Sequence, residues 1–267
     1  MSILTISREI GSGGREIAYA VADRLGYRLV TKEVIHEDIR KDGGKWEEWA
    51  RDLDERCPTI WEKYDWSFRG FGALIQLHIL EEAQRDRVVI LGRGGNFLLE
   101  GIGHALRIRV KASLEMRITR IEKRDSSDRE TARWLAEKTD YERSCFIQAL
   151  YGRSWDDPSA YDMVVDAGSE AIDATVSKIA DALTHREALL TEPVKKVLYM
   201  RVVSARIKAR ILTDSSFLVP LLEVFPSGEI VLLRGVVHGA HEHRRIEEAA
   251  REVAGDVPVT CELHYRG

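Results

Sequence analysis

Cysteine is scarce in this chain: three in 267 residues, at positions 57, 145 and 261. That odd, widely spaced set holds no C-x-x-C pair, so neither a disulfide scaffold nor a zinc knuckle is expected, and no protein metal site. No apolar run approaches the roughly 18 residues that cross a bilayer. The opening segment MSILTISREIGSGG has neither the basic start nor the long apolar stretch of a signal peptide, and a reducing cytoplasm is the expected compartment. A surplus of one charge is also missing: 40 Lys and Arg face 44 Asp and Glu, a formal charge of −4. General nucleic-acid binding and adhesion to an anionic membrane are therefore not expected. What is present, 44% apolar and 31% charged residues, suits an ordinary soluble core and surface. The length fits one large domain or two modest ones.

Apolar periodicity divides the chain. Ile3 to Ile6 is a short apolar run entering a Gly-rich turn, and Ile17, Val21 and Leu25 then fall four apart on one helical face, stopped by Gly26. Tyr27 to Val30 predicts a second strand. Residues 32–85 read as mostly helical, broken near Asp42-Gly43-Gly44 and Cys57-Pro58. Strands are expected at Val88 to Leu91, Leu106 to Val110 and Met163 to Val165, with charged helices from about Ser113 to Leu150 and a helix from Glu170 to Arg186. Alternating strands and helices predict a parallel sheet covered on both faces. The pattern changes after Thr191-Glu192-Pro193. A helix around Ala205 to Leu212, strands at Leu221 to Phe225 and Ile230 to Leu233, a helix at Arg244 to Val253 and a strand at Val257 to His264 form a small α+β unit. Two domains are expected, 1–187 and 194–267. Residues 186–267 carry 12 basic and 11 acidic side chains, a near-neutral balance.

The turn Ser7-Arg8-Glu9-Ile10-Gly11-Ser12-Gly13-Gly14, between strand and helix, has the make-up of a phosphate cradle. Glycines let backbone amides converge, and the following helix N-terminus adds partial positive charge. It is not a standard Walker A. With Gly11-Ser12-Gly13 in register, Gly14 stands where the phosphate-binding Lys belongs and Arg15 where the Mg²⁺-binding hydroxyl belongs. Slid by one, Arg15 takes the Lys position and Glu16 the hydroxyl position. An arginine grips phosphate oxygens through two N–H groups. Metal would rest on phosphates, water and Ser7, Ser12 or Glu16.

Residues 3–35, ITISREIGSGGREIAYAVADRLGYRLVTKEVI, resemble the opening of the cytidylate kinase-like family, a branch of the P-loop nucleoside monophosphate kinases. Four further stretches match in order: VVILGRGGNFL at 88–98, Leu106 to Arg120, Asp140-Tyr141-Glu142-Arg143, and YGRSWDDPSAYDMVV at 151–165. The resemblance covers about residues 1–185. It implies a P-loop-type α/β sheet with helices on both faces and transfer of the ATP γ-phosphate to CMP or dCMP, with Mg²⁺. By the same resemblance Gly11, Ser12, Gly13, Gly14, Arg15 and Glu16 would bind ATP and Arg93 the acceptor monophosphate. Arg143 and Arg153 would close over the transferring group, with Asp140 orienting them and Arg117 and Arg120 on a lid-side basic helix. The departures are Ala136-Glu137 in place of the lid's Arg-Asp, Leu91 in place of an acidic residue before Gly-Arg, and Thr31 in place of Asp. The alternative function is a nucleotide-binding regulator of weak or no transfer activity.

The same residues admit plainer readings. Residues 115–143 hold eight basic and eight acidic side chains, the balance of a solvated helix with i,i+4 pairs. Arg93 is different, since a charge between glycines directly after a buried strand has little structural reason. Trp46, Trp49, Trp61 and Trp66 read as packing residues. His238, His241 and His243 read as a solvated loop. Residues 204–265 resemble a BON domain, in the segments GEIVLLRGV at 228–236 and AAREVAGDV at 249–257. That resemblance implies an accessory module meeting a protein partner, a second subunit or phospholipid, the last not favoured by charge.

Overall fold

The computed structural model describes residues 2–52, 56–168 and 171–265. The chain runs β1 (Ile3–Arg8), α1 (Gly14–Leu25), β2 (Arg28–Val30), α2 (Lys32–Lys41), α3 (Gly44–Asp52), α4 (Ile60–Tyr64), α5 (Trp66–Gln84), β3 (Val88–Leu91) and α6 (Gly95–Leu98). It continues β4 (Ala105–Lys111), α7 (Leu114–Asp125), α8 (Arg129–Tyr151), β5 (Met163–Asp166) and α9 (Ile172–Glu187). The last part is α10 (Glu192–Thr213), β6 (Leu221–Ser227), β7 (Ile230–Val237), α11 (Ala240–Ala254) and β8 (Val259–Tyr265).

Strands β1 to β5 form one parallel sheet in the order β2-β3-β1-β4-β5. Helices cover both faces of its centre: β1 is buried through Ser7, and β3, buried throughout, reads as unbroken apolar sequence. The order reverses beside β1, so the loop leaving its C-terminal end opens at the topological switch point, where such sheets receive ligands. Helix α1 buries Ile17, Ala18 and Val21 on the sheet and ends at Gly26 in the left-handed conformation, whose amide reaches the carbonyls of Ala22 and Asp23. The charged stretch from 113 to 150 is two helices, α7 and α8, capped by the side chains of Ser113 and Asp128. Glu170, the expected start of α9, lies outside the described residues.

The C-terminal unit has its own sheet, β6-β7-β8, with β6 antiparallel and β8 parallel to β7. Its first helix, α10, starts at Glu192 rather than near 205, with Pro193 in the first turn where no amide is needed for the helix. Residues from Leu198 to Leu212 are buried nearly all round, because α10 lies between α5 on one side and β6 and α11 on the other. One apolar cluster runs from Phe71, Leu74 and Ile75 of α5 through Val202 and Ile207 of α10 to Leu233 and Ile246.

Three expectations are corrected. Cys57 and Cys145, 88 residues apart, form a disulfide with Cα atoms 4.9 Å apart, tying the segment before α4 to α8. Folding brings together what sequence spacing kept separate. His241 and His243 lie in the first turns of α11, not in a loop; His238 pairs with Glu242 at 3.2 Å and His243 meets the Tyr265 hydroxyl at 3.2 Å. Among the tryptophans, Trp46 is core, whereas Trp61 is 83% exposed. Among the described residues no three-ligand metal cluster occurs, and no helix is long and apolar enough to cross a membrane.

Candidate active site

The loop after β1 is shaped by two left-handed glycines, Gly11 (φ 73°) and Gly13 (φ 89°). A side chain at Gly11 would also bring its Cβ within 2.9 Å of the Arg117 carbonyl oxygen. Within the loop the Ser12 amide and hydroxyl both donate to the Glu9 carbonyl, at 3.3 and 2.8 Å. Among the described residues the amides of Gly11, Gly13, Arg15 and Glu16 find no protein acceptor. They gather at the N-terminus of α1, where the helix dipole is positive. Beside them opens a cavity of about 480 Å³ lined by Arg15, Glu16, Arg120, Lys123 and Arg124 among others. The cradle thus presents amides and cations together, a fit for a polyphosphate.

Arg120 of α7 holds the loop from behind, its Nη1 donating to the Ser12 carbonyl at 2.8 Å and the Gly11 carbonyl at 3.3 Å. Its Nη2 reaches the Ala167 carbonyl at 3.0 Å. Asp140 of α8 also holds the loop: its Oδ1 accepts from the Ile10 amide at 3.0 Å and its Oδ2 from Arg117. Arg143 lies 3.8 Å from Asp140 and donates to the Arg8 carbonyl at 3.2 Å.

After β3, three consecutive residues adopt the left-handed conformation: Gly92 (φ 82°), Arg93 (φ 59°) and Gly94 (φ 75°). Such strain in a non-glycine residue persists only where its surroundings enforce it. Here a Cβ on Gly94 would overlap the Tyr151 ring, and the Tyr151 hydroxyl donates to the Arg93 carbonyl at 2.5 Å. Burial pushes the Tyr151 phenol well above its ordinary value, so it stays a protonated donor. Arg93 is 4% exposed, its guanidinium 5.7 Å from the centre of Phe146 and its Nη2 3.5 Å from His36. It lines one small cavity with Arg8 and Arg143 at the end of β1. Ser7 closes the floor, its hydroxyl accepting from Arg109 at 3.0 Å and Trp155 at 2.8 Å, with Tyr161 at 3.3 Å.

A sequence profile of the Cytidylate kinase-like family matches residues 3–169. The chain belongs to that family. It is 28% identical over 184 residues to a cytidylate kinase of Methanocaldococcus jannaschii, covering 68% of this chain and 97% of that one. A cytidylate kinase of Methanopyrus kandleri is 27% identical over 189 residues, covering 68% and 92%. Among solved structures, an uncharacterized protein from Eubacterium ventriosum superposes with a TM-score of 0.56 at 20% identity, covering 69% and 98%, which shows a shared fold.

In this cytidylate kinase-like chain, then, Gly11, Ser12, Gly13 and Gly14 form the loop, Arg15 and Glu16 line its cavity, and Arg93 and Arg143 line the small one. Asp140 touches the loop and Arg117 of α7 together. Arg15 lies over Tyr19, 5.5 Å from the ring centre, rather than across the loop. Arg153 is turned away: it pairs with Glu100 at 3.2 Å and lies over Phe97. Ser7 and Ser12 spend their hydroxyls on protein partners, which leaves Glu16 as the oxygen donor facing the cavity from the three residues expected near a metal. Two arginines at the site were not singled out from the sequence. Arg8 ends β1, and Arg109, 2% exposed, stacks on Trp155 at 3.5 Å and pairs with Asp156 at 2.9 Å. The signal for Arg109 was present: like Arg107, it is an arginine placed inside the strand LRIRV at 106–110.

Proposed function

We propose that this protein is a nucleoside monophosphate kinase that transfers the ATP γ-phosphate to CMP or dCMP. One observation carries the reading: an open amide cradle at the switch point stands beside a cavity lined by Arg8, Arg93 and Arg143. Phosphoryl transfer needs positioning and charge neutralisation more than a proton relay, and guanidinium groups from separate segments supply both. In this reading the amides of Gly11, Gly13, Arg15 and Glu16 and the Arg15 guanidinium bind the triphosphate, while Arg120 holds the loop that presents them. Arg93 binds the acceptor phosphate, and Arg143, held near Asp140, faces the group in transfer. Arg153 has no part in this arrangement. Glu16 would face a magnesium ion, which when bound neutralises charge between the β- and γ-phosphates. The choice of cytosine follows the names of the archaeal relatives. The C-terminal unit, helix–strand–strand–helix–strand, is proposed as a BON-like accessory module through which a second subunit or another protein is met.

A coupled assay of ADP formation with CMP, dCMP, UMP and AMP tests the activity. CMP or dCMP should stimulate ADP release most. Arg93→Ala should raise the acceptor KM about 10- to 100-fold, the loss of one hydrogen bond to a charged group, with the ATP KM nearly unchanged. ATP binding without stimulation by any acceptor would end the kinase reading, and equal losses for both substrates would remove Arg93 from its role.

A further inference from the structure

Between α5, α6, α10 and β6 lies a second cavity, of about 360 Å³, on the seam between the kinase sheet and the C-terminal unit. That volume is at the small end of pockets that take small organic ligands. Two half-buried cations of α10, Arg201 and Lys208, point into it seven residues apart, two turns along one helical face. Arg201 Nη1 donates to the Leu98 carbonyl at 2.7 Å, and Lys208 Nζ to the Gln76 side-chain oxygen at 3.4 Å. Among the described residues neither makes a salt bridge. Glu100, the carboxylate in the lining, is held by Arg153 at 3.2 Å. An adjoining cavity of about 180 Å³ shares Gln76 and Lys208 and adds Lys63 and Arg69, the latter spent on the carbonyls of Val219 and Pro220.

Burying cations against neutral carbonyls is unfavourable unless an anion completes the site. Consistently, burial holds both Lys208 and Arg201 below their ordinary values; the nearby charge of Arg69 lowers Lys208 further, and Glu223 and Glu100 only partly oppose. The walls between the cations are apolar, from Leu80, Phe97 and Val224. We propose that this seam cavity binds a small organic phosphate: its phosphate between Arg201 and Lys208, its apolar or planar part against Phe97 and Leu80. An arginine fork and a lysine point charge are complementary holds on one phosphate. The site touches the acceptor side of the kinase. The Leu98 carbonyl held by Arg201 ends α6, the helix that follows Gly92-Arg93-Gly94. A phosphate that draws Arg201 away releases that helix end and alters the setting of Arg93. This consequence rests on the acceptor role of Arg93, whereas the binding itself does not.

The test is lysine acetylation of the full chain by an N-hydroxysuccinimide ester, read by mass spectrometry, with phenyl phosphate and inorganic phosphate as probes. Lys208 reports on the seam and Lys123, which lines the phosphate-loop cavity, on the loop. At ten times its dissociation constant, phenyl phosphate leaves about one-tenth of sites open, so Lys208 labelling should fall about tenfold. Inorganic phosphate should protect less. Arg201→Gln, which keeps a donor for the Leu98 carbonyl but removes the charge, should abolish the protection. Protection of Lys123 by ATP in that variant shows that the fold is intact. Unprotected Lys208 alongside ATP-protected Lys123 would overturn the proposal, as would protection that survives Arg201→Gln. Equal protection by inorganic phosphate would overturn its organic half.

Discussion

Replacing Asp140 by Ala tests how α8 grips the loop after β1. The carboxylate is 17% exposed and its partner Arg117 11%, so solvent screens the pair only partly. The substitution removes the acceptor of the Ile10 amide at 3.0 Å, a bond to a charged group, whose loss is about 1.5–3 kcal/mol. It does not strand Arg117, which keeps Glu9 at 3.5 Å and the Ile10 carbonyl at 3.4 Å. The total therefore falls below the roughly 3–5 kcal/mol of a fully buried pair broken on one side, at about 2–4 kcal/mol. For a chain of this size, each kcal/mol shifts the melting temperature by about 2–4 °C, so a fall of about 4–16 °C is expected. Asp140→Asn keeps an oxygen for Ile10 and loses the charge; about half that fall should follow. In a double-mutant cycle with Arg117→Ala the coupling should exceed about 1 kcal/mol, as for residues in one network. Turnover should fall about 10²-fold, the effect of a reacting group displaced by about 1 Å. Thermal denaturation without nucleotide and the coupled assay of ADP formation measure both halves. A melting temperature within about 1 °C of the parent, with coupling near zero, would refute the claim that Asp140 sets the loop.

Two further outcomes follow from other parts of the fold. The Cys57–Cys145 bridge closes a long loop and should contribute about 2–4 kcal/mol, so Cys145→Ser should lower the melting temperature and make it insensitive to dithiothreitol. A parent protein equally insensitive to the reductant would contradict the bridge. His78 is opposed by burial, but hydrogen bonds to Glu81 and Asp42, the latter at 2.7 Å, outweigh that and raise its pKa above the ordinary 6.5. A raised folded value means stability that is complete below the unfolded pKa and lost as pH rises through the folded one. The denaturant midpoint advantage of the parent over His78→Gln should therefore be largest in mild acid and shrink above neutrality; an advantage that grows with pH would reverse the assignment.

The parts of the site that were legible in the sequence are those where a residue type violated its surroundings. Glycines crowded after an apolar strand marked the loop, and Arg93, charged between glycines, could be singled out because no buried strand end needs it. The parts that were not legible lie where the local pattern has a sufficient plain explanation. The family resemblance picked out Arg120 and Asp140, but they sit in a stretch whose basic and acidic residues balance, so composition and spacing alone do not distinguish the two that grip the loop from those that pair in solvent, such as Arg133 with Glu115. Arg153 shows the converse: its segment resembles the family, yet its side chain is spent on Glu100. A motif fixes a backbone position, but the direction of a long side chain depends on which partner is nearer.

The boundary near residue 190 shows the same limit at larger scale. The change of pattern there is real in the chain, where α9 ends at Glu187 and α10 begins at Glu192. The start of α10 was missed because its first two turns are mostly exposed, with Lys195, Lys196, Val197 and Tyr199 at the surface, so no apolar stripe marks α10 before the burial that begins at Leu198. The faces that hide it are the reason the two units do not separate energetically. Helix α5 is apolar around most of its girth, with Phe71, Leu74, Ile75 and Ile79 all buried, and α10 supplies part of that cover. Removing residues 190–267 would expose the side of α5 that α10 covers, at a loss of about 25 cal/mol for each Å² of apolar surface returned to water. The C-terminal unit is thus a structural wall of the α/β unit as well as an addition to it, and the seam cavity lies against the core that both share.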